Sequence, residues 1–355
     1  MGGTAMDTSL FEDQRLEKRK DEQGQNQYSP YCDFIYYTSS RDPELRLAMK
    51  VIKPARPGYI LAMTHGWHMS AEPFAYMEKP REDQPFLIVQ VDMRGRAFST
   101  GQPDCNGYEL WDVIDAVQYA RHMYAEYILD PEIVYFEAGS GGGGNAYAIT
   151  GKFPDFFTAV NALYGISDYA LWYEKDTVGE FRDEMDVWIG CSPKENPMAY
   201  AARSGITTVE NLMVPLYIAH GETDVRVPSE HAVRYLEKAQ ELGKGALVEY
   251  YELKGVGTRS HLGNITPNQR MELECRARAN LTEHTTPPVL PRKGKLIVAG
   301  YLVTKEFSIV LDSVDKTAEL EYDLETERFQ LRCTAPVGYT LERFRNMSKK
   351  VRFFS

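Results

Sequence analysis

One serine in the sequence has neighbours that suggest chemistry, Ser140 within the stretch VYFEAGSGGGGNAYA. A flexible spacer would join two domains, whereas this serine lies between a strand-like and a helix-like segment. A phosphate-binding loop of the GxxxxGK[ST] type would need a lysine where Asn145 stands. A dinucleotide-binding fingerprint belongs at the first strand-to-helix turn of its fold, and this stretch follows about five predicted strands. These three interpretations are therefore disfavoured.

A sharp turn that carries a nucleophile explains the small residues. When a chain turns tightly from a strand into a helix, the backbone passes so close to the apex that neighbouring residues must be small. Ala138 and Gly139 precede Ser140, and four glycines follow it, beginning with Gly141. A helix start also supplies N–H groups and a positive dipole end, which favour a developing oxyanion. The stretch predicts an activated serine, with an ordinary turn serine as the alternative.

With these residues the sequence resembles the α/β-hydrolase superfamily, and most closely its prolyl-oligopeptidase-like (S9) and esterase branch. The motif G-x-S-x-G is present with Ala138 at its first glycine. The superfamily orders its triad as serine, acid, histidine. The segment HGETDVRVP resembles the family's HGxxDxxVP, which implies Asp224 as the acid, and KGVGTRSHLGN places His261 in the loop of the base. A helix-capping role for Asp224 and a surface position for His261 remain the simpler alternatives.

Two early loops extend the resemblance over roughly residues 44–265. THGWHMS resembles the family's oxyanion loop, which implies that the Trp67 and Gly141 N–H groups together hold the oxygen of a tetrahedral intermediate. His65 is then a structural member of that loop. DMRGRAFSTGQ looks like D-x-RG-x-G-x-S-x-G, with Ala97 at a glycine position. The implied mechanism is acyl transfer through Ser140, His261 and Asp224, with no metal and no organic cofactor.

The expected substrate is a small-molecule ester or a short peptide. Relatives of this branch commonly carry a large N-terminal propeller, and the short segment ahead of the first predicted strands favours a carboxylesterase. The segment SDYALWYEKDTVGEFRDEMDVW is predicted to be an insertion whose aromatic residues line a pocket or form core. We take Trp67, Tyr169 and Trp172 as the candidate substrate contacts. Because flat aromatic faces suit sugar rings, a carbohydrate ester is one expectation.

Two other functions stay open. A serine exopeptidase would need carboxylates to hold a substrate amine, although a solvated helix face also explains the available ones. Those carboxylates are Glu180, Asp183, Glu184 and Asp186. A non-catalytic binding protein on a hydrolase scaffold would use the C-terminal segment as its interaction surface. A complete triad argues against that function, because binding alone does not require the three residues in register.

The composition limits the classes of partner and the compartment that we expect for this protein. A net charge of −11 and a pI near 5.3 disfavour nucleic acid and anionic membranes, which the protein's field would repel. The sequence has no apolar run of membrane-spanning length, and its first residues lack the apolar core of a signal peptide. Five scattered cysteines fit a reducing compartment and show no metal-ligand spacing. We therefore expect a cytoplasmic protein.

Apolar periodicity predicts the elements that must position these residues. Alternating strand-like and helix-like segments run to about residue 283 and predict an α/β-hydrolase fold, with a mostly parallel central sheet flanked by helices. Further short strand-like runs predict a C-terminal β-rich module, whose edge strand could support a homo-oligomer. The predicted parts are a polar N-terminal arm at 1–27, a catalytic domain at 28–283 with an insertion at about 168–210, a Pro-rich linker at 284–291, and the β-rich module at 292–355.

Overall fold

The computed structural model describes residues 31–71, 82–176, 179–334 and 336–344, so the predicted polar arm lies outside the described residues. The described strands are β1 Cys32–Thr38, β2 Arg46–Ile52, β3 Tyr59–Met63, β4 Phe86–Asp92, β5 Val134–Gly139, β6 Ala159–Leu163, β7 Leu216–Gly221, β8 Val248–Leu253, β9 Lys293–Ala299, β10 Tyr301–Val303, β11 Phe307–Leu311, β12 Thr317–Asp323, β13 Arg328–Arg332 and β14 Tyr339–Arg343. The described helices are α1 Glu109–Met123, α2 Gly141–Lys152, α3 Tyr169–Lys175, α4 Arg182–Ile189, α5 Pro197–Ala201, α6 Glu230–Glu241 and α7 Pro267–Thr282.

Eight of these strands form the central sheet, in the order β1-β2-β4-β3-β5-β6-β7-β8. β2 runs antiparallel to both β1 and β4, and the pairings from β4 through β3 to β8 are parallel. Leu216 and Ile218 of β7 join a core with α1, α2 and α6, whereas Tyr217 and Ala219 join another with α7. Because alternate residues of a strand point to opposite faces, the helices cover both sides of the sheet. The predicted α/β-hydrolase fold is confirmed.

The parallel strands determine where the candidate residues meet. Carboxyl ends of parallel strands share one edge of a sheet, where ligands bind in open α/β folds. Ser140 follows β5, and Trp67 follows β3 across a short turn. Asp224 follows β7, and His261 lies in the loop between β8 and α7. Side chains far apart in the sequence are thereby delivered to the same edge.

A second sheet of six antiparallel strands follows, in the order β13-β12-β9-β10-β11-β14. Along β12, Ala318, Leu320 and Tyr322 are buried and alternate with exposed residues, which is the pattern of a sheet with one covered face. The strand-like run KLIVAGYLVT forms two strands, because Gly300, at φ +71°, turns the backbone between β9 and β10. This sheet has its own apolar core.

The C-terminal sheet packs against the α/β part through buried polar contacts. The Asn211 side chain donates to the Ile297 carbonyl and accepts from the Ile297 N–H, both at 2.7 Å. The Tyr301 hydroxyl donates to the Gly107 carbonyl at 2.8 Å, and the Tyr301 ring belongs to the main core. Because buried polar groups demand partners, these contacts specify how the two sheets dock.

Candidate active site

Ser140 occupies a strained turn between β5 and α2. Its backbone has φ +59° and ψ −123°, a region that costs a non-glycine residue about 1–3 kcal/mol. Two backbone hydrogen bonds hold the turn in place. The Ser140 N–H donates to the Leu163 carbonyl at 3.0 Å, and the Gly144 N–H donates to the Ser140 carbonyl at 3.0 Å. The hydroxyl therefore projects from a fixed backbone at the N-terminus of a helix.

Two of the following glycines have no room for a side chain. A Cβ on Gly141 would lie 2.6 Å from the Trp67 nitrogen, and one on Gly143 would lie 2.6 Å from the Gly165 Cα. Both distances are far below van der Waals contact. The glycines let α2 approach the oxyanion loop on one side and the loop after β6 on the other, which is the close passage that the sequence predicts.

The structure brings the three candidate triad residues into one hydrogen-bonded chain. The His261 Nε2 atom lies 2.8 Å from the Ser140 Oγ atom, and its Nδ1 atom lies 2.6 Å from the Asp224 Oδ2 atom. The Asp224 side chain is fully buried, while His261 retains 15% exposure. A buried carboxylate on one ring nitrogen leaves the other nitrogen able to accept the serine proton. The arrangement can activate Ser140 as a nucleophile.

The second oxygen of Asp224 organises its own loop. The Oδ1 atom accepts from the Arg226 N–H at 2.9 Å and the Val227 N–H at 3.1 Å. Helix α6 begins later, with Ser229 as its N-cap residue, so Asp224 does not cap that helix. Gly257, at φ +112°, packs so closely that a Cβ would lie 2.3 Å from the Asp224 nitrogen. Only glycine combines that backbone conformation with that approach, which holds the acid loop against the histidine loop.

The Trp67 backbone packs against Gly141, the residue after Ser140, since a Cβ on Gly141 would lie 2.6 Å from the Trp67 nitrogen. The contact at Gly141 places the oxyanion loop directly over the start of α2. His65 in that loop is buried, which lowers its pKa to about 4, and its Nδ1 atom lies 3.0 Å from the Gly66 carbonyl. It is therefore neutral at pH 7 and can donate from Nδ1 to that carbonyl. The arrangement can hold a tetrahedral oxyanion between two N–H groups.

Asn145 anchors the oxyanion loop to α2, a role that was not predicted from the sequence. Its Oδ1 atom accepts from the Thr64 hydroxyl at 2.8 Å, and its Nδ2 atom donates to the Asn106 side chain at 2.7 Å. Asn106 in turn donates to the Gly144 carbonyl at 3.0 Å. A polar residue inside a helix of small, buried residues was the available signal, because such a side chain needs partners.

Trp67, Tyr169 and Trp172 form a packed aromatic cluster behind the oxyanion loop. The Trp67 ring centroid lies 4.8 Å from that of Trp172 at 79°, and 4.8 Å from that of Trp188 at 33°. The exposed fractions of Trp67, Tyr169 and Trp172 are 6%, 1% and 2%. The structure therefore uses these rings as core, and their contact with a substrate stays a prediction.

Three of the four candidate amine-binding carboxylates are already engaged, and one of them, Asp186, accepts from the Tyr173 hydroxyl at 3.1 Å. Glu184 accepts from the Trp67 indole N–H at 2.5 Å and lies 2.7 Å from the His68 Nε2 atom. Glu180 forms an ion pair with Arg226. The insertion helix α4 thus contacts the oxyanion loop through Glu184, a link that the sequence did not indicate.

Within residues 31–71, 82–176, 179–334 and 336–344, no three His, Cys, Asp or Glu side chains converge as a metal site would require. None of the helices in those ranges combines the length and apolar character that crossing a bilayer demands.

The sequence model described as the prolyl oligopeptidase family matches residues 73–272, which is more than half of the chain. This chain belongs to the prolyl oligopeptidase family. The match includes Ser140, Asp224 and His261, so the hydrogen-bonded chain lies within the part that defines the membership. The predicted resemblance to the prolyl-oligopeptidase-like branch is confirmed.

Individual relatives match this prolyl oligopeptidase-family chain over part of their length. The "Uncharacterized peptidase YtmA" of Bacillus subtilis (strain 168) is 33% identical over 87 residues, which cover 24% of this chain and 33% of that protein. A crystal structure of puromycin hydrolase is 18% identical with a TM-score of 0.58, and the alignment covers 74% of this chain and 41% of that one. The acylaminoacyl peptidase of Pyrococcus horikoshii is 20% identical with a TM-score of 0.54, covering 68% and 39%.

This chain therefore spans about a third of the curated relative and about two fifths of these solved structures. The structural likeness at these identities shows a shared fold.

Proposed function

We propose that this chain is a serine hydrolase that cleaves acyl compounds through an acyl-enzyme on Ser140. The observation that carries the proposal is the hydrogen-bonded chain from Ser140 through His261 to Asp224, placed at a strained helix start beside two backbone N–H groups. Family membership supports the same chemistry.

The proposed reaction assigns a step to each group. His261 Nε2 takes the proton as the Ser140 oxygen bonds to the substrate carbonyl carbon, and the carbonyl oxygen becomes an oxyanion. His261 then gives the proton to the leaving group, whose bond to the carbonyl carbon breaks. Water then bonds to the acyl carbon as His261 takes one of its protons. The bond between that carbon and the Ser140 oxygen breaks, His261 returns the proton to Ser140, and the acid leaves. The N–H groups of Trp67 and Gly141 hold this oxyanion. In sites of this kind, each such donor contributes about 3 kcal/mol to stabilising the transition state.

A peptide or aminoacyl amide is the first substrate class that we propose. Peptidase is the activity word in the names of both the curated relative and the Pyrococcus horikoshii structure. The triad arrangement serves amide cleavage because His261, once protonated, can protonate a leaving amine.

An ester is the second class, and a specific observation favours it. Glu184 is held by Trp67 and His68, and Glu180 by Arg226, so these carboxylates already have partners that a substrate amine would have to replace. An ester substrate needs no amine site.

The first test is labelling of the purified full chain with a fluorophosphonate probe, read by intact mass. We expect one adduct on the wild type, no adduct on Ser140→Ala, and an unchanged adduct on Ser192→Ala, which removes a half-buried serine of the insertion. No adduct on folded wild type would contradict the proposal and favour a binding protein on a hydrolase scaffold. The values of kcat/KM for matched acyl esters and aminoacyl anilides then decide between the two substrate classes.

A further inference from the structure

We infer that Tyr164 is a positioning residue for His261, an inference that rests on the proposed function. Tyr164 directly follows β6, and its ring stacks face to face on the imidazole, with centroids 4.8 Å apart and planes at 14°. No other ring of the described residues is stacked on His261 in this way. The hydrogen bonds to Ser140 and Asp224 fix the two ring nitrogens in the imidazole plane, and Tyr164 restrains the ring from its face.

The Tyr164 ring is itself held firmly. Its backbone has φ +40°, an uncommon conformation for a tyrosine, and its N–H donates to the Ala219 carbonyl of β7 at 2.7 Å. At the end of β5, a Cβ on Gly139 would lie 2.6 Å from the edge of this ring. The ring therefore fills the space between the end of the nucleophile strand and the imidazole of the base. Gly139 leaves that space open, and a side chain there would displace Tyr164.

Stacking has a chemical consequence as well as a steric one. When His261 accepts the serine proton, the imidazole becomes a cation, and the face of an aromatic ring attracts a cation. The strength of such contacts corresponds to about a threefold to thirtyfold change in an equilibrium or rate. Tyr164 therefore stabilises the protonated base in the transition state.

Other charged and titratable groups also face this pair. Asp224 hydrogen-bonds to His261. His220 is buried with its Nε2 atom 3.9 Å from the Asp224 Oδ2 atom, and burial lowers the pKa of His220. His220 is therefore neutral near pH 7 and leaves the Asp224 charge to His261.

The groups that act on Tyr164 itself are Glu137 of β5, Arg270 of α7 and Asp224. Burial is the main cause that raises the pKa of Tyr164, with smaller contributions from the two carboxylates, and Arg270 opposes them. The phenol therefore stays neutral across the pH range of catalysis. Tyr164 acts through its ring, and no proton transfer to its hydroxyl is required.

The test is the second-order rate of Ser140 phosphonylation by the fluorophosphonate probe as a function of pH, which needs no identified substrate. Tyr164→Phe keeps the ring and should stay within about twofold of the wild type. Tyr164→Leu should react about three- to thirtyfold more slowly. The acidic limb of the pH–rate profile of Tyr164→Leu should move to lower pH, because the His261 imidazolium loses its proton more readily without the Tyr164 ring. Tyr108→Leu is the matched control, since Tyr108 is also half-buried and stacks on Tyr301 at 16°.

The outcomes separate the two claims. A wild type that is not labelled overturns the proposed function and this role with it. A labelled wild type, with Tyr164→Leu at the same rate and the same acid limb, overturns this role alone. A loss in Tyr164→Leu that is equal at every pH also overturns it, because structural damage does not move the limb. Should Tyr164→Leu unfold, Tyr164→Met removes the ring at similar volume and Tyr164→Trp restores one, and the same two criteria apply.

Discussion

At the scale of single residues, the two oxygens of Asp224 have separate tasks. Oδ2 orients His261, and Oδ1 holds the N–H groups of Arg226 and Val227. The carboxylate is fully buried, so each oxygen depends on these partners for the stabilisation that water would otherwise give. The same residue thus shapes its loop and sets the tautomer of the base, and a substitution can separate the two tasks.

Asp224→Asn should abolish most of the reactivity while preserving the fold. The amide oxygen can still accept from the two loop N–H groups, but the amide N–H₂ would donate to His261 Nδ1. The imidazole proton would then sit on Nε2, facing Ser140, in the tautomer that cannot accept the serine proton. We expect phosphonylation of Ser140 to slow by about 10³- to 10⁴-fold, with an unchanged far-UV circular dichroism spectrum.

Asp224→Ala is the comparison variant, because it removes both tasks. It should lose reactivity to a similar extent and also lower the free energy of unfolding by about 1–3 kcal/mol, since a buried and a partly buried N–H group lose their acceptor. If Asp224→Asn were labelled at a rate within tenfold of the wild type, Asp224 would not set the tautomer of His261.

At the scale of elements, the position of helix α2 is fixed by its contacts with the surrounding loops. The Leu163 carbonyl accepts from the Ser140 N–H and also lies 2.7 Å from where a Gly143 Cβ would be. A side chain at Gly143 would therefore press on the group that holds the nucleophile turn. The helix cannot retreat freely, because Asn145 ties it to the oxyanion loop through Thr64.

Gly143→Ala should consequently destabilise the protein and misplace Ser140. Overpacking of this kind typically costs about 1–3 kcal/mol, and the displaced turn should lower the phosphonylation rate at least tenfold. Urea denaturation and probe labelling measure the two effects. Gly294→Ala in β9 is the control, since its Cβ would meet nothing nearer than 3.2 Å, and it should leave labelling unchanged. Equal behaviour of the two variants would refute the role of close packing at α2.

The sequence predicted the elements that have strong apolar periodicity. The buried run of β7 and the amphipathic helix α6 are examples, and the residues placed after such strands met at one edge of the sheet. Helix α7 was not predicted, although Thr266 and Gln269 form a capping box at its start, because few of its side chains are buried and its apolar face is weak. Strand β14 was not predicted either, because most of its positions are exposed and its apolar residues do not alternate cleanly with polar ones.

Contacts between elements could not be read from periodicity at all. The ring of Tyr164 against His261 depends on a positive φ and on an absent side chain at Gly139, neither of which leaves a local pattern. The aromatic residues of the insertion were consistent with both a pocket and a core, because hydrophobic area favours burial against either a ligand or the protein. Only the three-dimensional arrangement places Trp172 in the core.

At the scale of the whole molecule, the helix that carries the nucleophile also contacts the C-terminal sheet. Lys152, the last residue of α2, is buried, and its ammonium donates to the carbonyls of Ala202, at 2.9 Å, and Ala299. It also lies 4.5 Å from the Tyr301 ring centroid. Burial of this cation lowers its pKa to about 7. The folded protein, in which the sheet is docked over Lys152, therefore releases the Lys152 proton more readily than the unfolded chain does.

This linkage predicts a pH dependence of stability that Lys152→Met should remove. The unfolded chain keeps the lysine proton up to a pH of about 10.4, whereas the folded chain releases it above about 7. Between these values the unfolded state binds more protons, so the free energy of unfolding rises with pH, by at most about 1.4 kcal/mol per pH unit. Urea denaturation at pH 7, 8 and 9 should show this rise in the wild type and in Lys238→Met, an exposed lysine control, and a flatter profile in Lys152→Met. Parallel profiles in all three proteins would mean that Lys152 keeps its proton in the folded state, and the carbonyls of Ala202 and Ala299 would then be sufficient to hold a buried ammonium ion.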